Sequence, residues 1–110
     1  MSYAVEITDA VLDAIEDQAR YIAIDHASPL NSERWIERVF DAVDGLSAMP
    51  QRHALAIEDE YLPYEVRRVL IGNHHLLFTV DERAKTVWVI GLRHGSRLPR
   101  PRDLPPEMPT

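Results

Sequence analysis

The chain has 110 residues, no cysteine and a formal net charge of −6, which suits one domain and excludes disulfides and thiolate metal sites. No stretch approaches the ~20 apolar residues of a membrane span. "MSYAVEITDA" lacks the basic start and apolar run of a signal peptide, so the expected location is cytoplasmic, with no membrane partner. Charge is unevenly spread. Residues 1–63 carry four Arg against thirteen Asp and Glu, whereas residues 64–102 carry seven Arg and one Lys against three acids. The first stretch is therefore −9 and the second +5. A basic half on an acidic chain points to an anionic or acidic partner, or to an acidic helical layer balancing a basic sheet.

"YAVEIT" (3–8) sets Tyr3, Val5 and Ile7 against Ala4, Glu6 and Thr8, the period of a half-buried strand. Thr8 or Asp9 then offers an N-cap oxygen. Leu12, Ile15, Ala19 and Ile22 follow at helical spacing, predicting an amphipathic helix over 9–25. Ser28 and Pro29 are a capping residue and an N1 proline for a second helix. Its stripe is Trp35, Val39, Ala42, Val43 and Leu46, broadened by Ile36 and Phe40, and it ends near Ser47 before Pro50. So short a connection makes the two helices an antiparallel hairpin.

Residues 49–63 read as an irregular loop with an acidic triplet, Glu58 to Glu60. "EVRRVLI" (65–71) and "HLLFTV" (75–80) flank Gly72-Asn73, a pair suited to a tight hairpin turn. "DERAK" turns the chain into "TVWVIGL" (86–92). Alternation places Leu76, Phe78 and Val80 on one face of their strand, and Trp88, Ile90 and Leu92 on one face of the next. After Leu98, five of the eight prolines fall between Pro99 and Pro109, without apolar period. The expected domain is residues 1–98, and residues 99–110 are expected to be a flexible or extended tail with no packed element.

Strand, helix, helix and three strands imply an α+β two-layer fold: a helical hairpin on one face of a mainly antiparallel four-stranded sheet. The other face is expected to stay partly open, carrying Arg67 or Arg68. Arg93, His94 and Arg97 close the last strand, with Arg67 and Arg68 on the first meander strand and His74 and His75 opening the middle one. Guanidinium forks hold phosphate or carboxylate at two points, and an imidazole exchanges protons near neutrality. Together they are candidates to bind a phosphodiester and stabilise charge on it. The competing reading has the arginines pairing with acidic helices or covering apolar surface with their stems. Adjacent His74 and His75 point to opposite faces, so no metal site or cofactor is expected. His26 and His53 fall in loops, and Trp35 and Trp88 read as core.

"YAVEITDAVLDAIEDQARYIA", the tryptophan and "L…MP" of the second helix, "YEVRRVLIGNHHLLFTVDE" and "VWVIGLRHGSR" together resemble the RelE/ParE toxin superfamily. The resemblance spans residues 3–97, and the closing "RHGSR" looks most like the ParE, or plasmid-stabilisation, branch. It implies a toxin silenced by a cognate antitoxin in a type II module. ParE-like toxins act on DNA gyrase, whereas RelE-like toxins cut mRNA on the ribosome. The ribonucleases carry an arginine just after the hairpin turn, where this chain has His75, and commonly a tyrosine or histidine near the C-terminus; no tyrosine follows Arg97. Arg67 matches the superfamily's strand arginine, and Arg93, His94 and Arg97 match its closing motif. A gyrase-directed, non-enzymatic toxin is thus the first expectation, with Arg67, Arg68, Arg93, His94 and Arg97 contacting target or antitoxin. An endoribonuclease working through Arg67, His75, His94 and Arg97 is the alternative, and a non-toxic member that only binds an antitoxin is the third.

Overall fold

The computed structural model describes residues 2–110. Strand β1 (Ala4–Ile7) runs into α1 (Asp9–Arg20), whose first turn is capped by Thr8: its side chain accepts from the Val11 amide at 3.4 Å. The first helical segment reaches residue 25 as expected, but its final turn, Tyr21–Asp25, is wound as a π-helix. Helix α2 (Pro29–Gly45) begins at the N1 proline. The buried line of α1 is Val11, Ile15 and Ala19, and Leu12, expected in it, is 42% exposed. The two helices are tied by the Ser32 hydroxyl, which donates to the Ala19 carbonyl at 2.7 Å in a buried setting.

The meander strands are β2 (Arg67–Ile71), β3 (His74–Asp81) and β4 (Thr86–His94). Spatial order is β1-β4-β3-β2, with β1 parallel to β4 and the remaining pairs antiparallel. The expected hairpin-on-sheet fold is present. Its main core joins Val11, Ile15, Trp35 and Val39 of the helices to Leu76, Phe78, Val87 and Val89 of the sheet.

Strand β4 departs from simple alternation. Leu77 pairs with Gly91 and Phe78 with Val89, so Ile90 has no residue opposite it. This bulge puts an extra residue into one strand and resets which side each neighbour faces. Leu92 thereby joins the helix-side core, while Trp88 and Ile90 pack on the other side. The expected grouping of Trp88, Ile90 and Leu92 on one face is corrected accordingly.

The second face is covered over part of its area and open at the β2–β3 turn, where Leu70 is exposed and Arg68 half-buried, as expected of a partly open sheet. The connector after α2 forms two short 3-10 turns, Pro50–Arg52 and Ile57–Tyr61, and pairs Leu55 with Arg67 along the edge of β2. Ala56, Val66, Leu77, Ile90 and Leu104 make a second buried cluster there. Leu104 belongs to the tail, so the expectation of no packed element after Leu98 fails at that residue. Gly91 explains the fit, since a Cβ there would stand 2.7 Å from Leu104 Cδ2. The tail has one 3-10 turn, Pro101–Asp103, an extended backbone at Leu104 and bends at Leu104, Pro106 and Glu107, and the Tyr64 hydroxyl donates to the Pro105 carbonyl at 2.6 Å.

Candidate functional site

The end of the sheet is shaped by the β2–β3 turn and the last residues of β4. Gly72 takes the left-handed conformation (φ 58°) that the two-residue turn requires. Register then sets His74 opposite His94 and His75 opposite Arg93. The Gly95 amide donates to the Asn73 carbonyl at 2.7 Å and the Arg97 amide to the His94 carbonyl at 3.0 Å, closing the chain back over the turn. An open cleft of about 360 Å³ results, lined by Leu70, Gly72, Asn73, His75, His94 and Ser96 among others.

The arginines expected to act together have different fates. Arg93 Nε lies 2.7 Å from a Glu58 carboxylate oxygen; the two side chains are 10% and 1% exposed, and Arg93 also donates to the Arg97 carbonyl at 3.3 Å. A carboxylate this buried needs a cation at hydrogen-bond distance, because uncompensated burial of charge is costly. Arg93 therefore joins the connector to β4 and is not a free fork. Arg67 lies opposite Phe78, on the helix side of the sheet; it pairs with Glu65 at 2.8 Å and donates to the His53 carbonyl. No ion pair among the described residues holds Arg68, which is half-buried opposite Leu77, or Arg97, which is exposed.

The histidines divide in the same way. His74 is 8% exposed, edge-on to Trp35 at 5.5 Å and to His94 at 5.0 Å. Burial lowers its pKa, helped by the charges of His94, Arg97 and His75. Burial also lowers His75, with Arg93 and Arg68 adding to the shift and Glu58 opposing it. The Nδ1 of His75 is buried without a hydrogen-bond partner. The Nδ1 of His94 accepts from the Ser96 amide at 3.1 Å and lies 2.7 Å from its hydroxyl, which places the ring proton of the neutral form on Nε2. His53 stacks edge-on to Phe78, away from the cleft, and burial followed by Arg52 and Arg67 lowers its pKa. His26 packs against Tyr21 at the far tip of the helical hairpin. No group of three or more potential ligands among the described residues could hold a metal ion, and no helix among them is long and apolar enough to cross a membrane.

The residue that sequence reasoning missed is Glu58. The acidic triplet reads as part of an irregular loop, yet its first member is the most buried acid in the chain. No local signal marks it, because its partner Arg93 lies 35 positions away.

Comparison with known proteins finds similarity at the level of family and of fold. The family model described as "ParE toxin of type II toxin-antitoxin system, parDE" matches residues 5–99. Among solved structures, the crystal structure of the archaeal RelE-RelB complex from Pyrococcus horikoshii OT3 is similar, with a TM-score of 0.55 and 17% identity. That similarity covers 89% of this chain and 100% of the other, and at this identity it speaks for the fold alone. No curated protein matches. With the family model covering nearly the whole sheet and both helices, the chain belongs to the ParE toxin family of type II toxin–antitoxin systems.

Proposed function

We propose that this toxin acts by binding a protein, DNA gyrase, through the cleft end of its sheet, and that a cognate antitoxin silences it by covering the same region. The observation that carries the reading is the separation of the ribonuclease candidates. Arg67 is neutralised by Glu65 on the helix side, while His75 and His94 line the cleft at the sheet end. A phosphodiester in the cleft would meet two imidazoles without the strand arginine that the ribonuclease reading assigns to it. What the cleft does offer is the His94 imidazole and the exposed Leu70, with the exposed Arg97 next in sequence to its lining residue Ser96. An apolar anchor in the cleft and a free guanidinium on the turn that follows it suit an acidic protein surface. The archaeal RelE is recorded in complex with RelB, which supports an antitoxin partner here, and the unpaired cations would set its register against an acidic segment.

The test is a supercoiling assay with purified toxin and gyrase, run beside primer extension on cellular mRNA after induction. Inhibited supercoiling, relieved at least about tenfold by Arg97→Glu with unchanged folding, is the expected result. Unimpaired supercoiling while growth stops rules gyrase out. New mRNA 5′ ends in that case favour the ribonuclease reading, and healthy growth without antitoxin favours a non-toxic member.

A further inference from the structure

We propose that the second face of the sheet is a binding groove for an extended leucine–proline segment, occupied in the isolated chain by its own C-terminal tail as a releasable cover. The groove is built for that chemistry. Ala56, Val66, Leu77 and Ile90 form an apolar floor, and the missing side chain of Gly91 leaves a notch that Leu104 fills. At the rim the Tyr64 hydroxyl supplies a donor, taken by the Pro105 carbonyl. Proline has no N–H, so a leucine followed by prolines brings few donors that would go unsatisfied against apolar residues. Pro101, Pro105 and Pro106 also keep the tail from forming a helix over the face. An extended strap is what fits.

The cover is held lightly. Leu104 is the only tail residue that is fully buried, and Arg102, Asp103, Pro106 and Glu107 are exposed. The lead-in side chains are exposed as well: Leu98 is 84% exposed and the Arg97 side chain has no ion-pair partner. Segments with so few buried contacts open locally without global unfolding. The main core contains no tail residue, so the rest of the fold survives the opening. A partner presenting an extended Leu–Pro segment takes the groove by displacing the tail. The proposal stands whether or not gyrase is the target.

Tryptic cleavage of the full-length chain, carrying R97Q so that the exposed Arg97–Leu98 bond is not cut first, tests it, read at Arg102, because Arg100 is protected by the proline that follows. Leu104→Ala should speed cleavage at least about tenfold, since cleavage tracks the open population, while far-UV helicity is retained. A peptide of residues 99–110 carrying R100Q and R102Q, which trypsin spares, is then added to the Leu104→Ala chain. Saturable shifts of the Trp88 indole resonance are expected with this peptide and none with its L104A version. Unchanged cleavage, or equal binding of both peptides, overturns the proposal. Should Leu104→Ala not fold, the R97Q chain with Leu104 intact decides: excess peptide accelerates cleavage at Arg102 if the groove exchanges occupants, and an unchanged rate overturns it.

Discussion

The two faces of the sheet each carry a buried apolar cluster, but these are closed by different means. The helix side is sealed by regular structure, with Val11, Ile15 and Val39 meeting Phe78, Val87 and Val89 at helical and strand periods. The other side is sealed by irregular chain: a connector carrying Ala56 and Glu58, and a tail contributing Leu104. The difference teaches that an α+β sheet needs no second helical layer when loops supply apolar side chains at the right points. Polar neighbours must then be satisfied one by one, which is what Glu58 and Arg93 do for each other.

Removing one partner of that pair should have the largest effect on the comparison. Arg93→Ala strands the Glu58 carboxylate on the loop-covered side and should cost about 3–5 kcal/mol, measured by denaturant unfolding. Replacing both, as Glu58→Gln with Arg93→Met, should recover most of the loss. If Arg93→Ala alone is neutral, the loop-covered side is not organised by the pair. Leu104→Ala comes next, at about 2 kcal/mol, the low end for a buried leucine because the tail can settle over the notch. A loss as large as that for Arg93→Ala would mean that the tail is integral to the fold and not a cover.

The smallest expected effect is a pH dependence centred on the sheet end. His74, His75 and His53 have folded pKa values below the ordinary 6.5. The unfolded chain thus binds more protons in the window below 6.5, and stability falls as pH drops through it. It is fully present above that value. Thermal midpoints between pH 7.5 and 5 should decline, and His74→Phe, which keeps the stacking on Trp35, should flatten part of the slope. An unchanged slope in that variant would show that His74 is not a contributor.

Much of this was legible in the residues. The Thr8 cap, the Pro29 start of α2, the Gly72-Asn73 turn and the order of elements all follow from local rules, because each depends on neighbours within a few positions. The candidate site was only partly legible. His94 and His75 do gather at the sheet end, because register brings them there, and Arg97 follows on the exposed turn after β4. Arg93 drops out because its partner Glu58 is distant in sequence, and Arg67 because it is held both by its near neighbour Glu65 and by the His53 carbonyl, which only the fold brings to it.

What sequence alone determined, then, was the local geometry and the family resemblance, both written in short-range periods and motifs. Tertiary structure decided which cations are free, how the Ile90 bulge divides β4 between two cores, and where the proline-rich tail rests. Those outcomes depend on contacts between residues far apart in the chain. Glu58 meets Arg93 across 35 positions and Tyr64 meets Pro105 across 41, and no local pattern encodes such pairings.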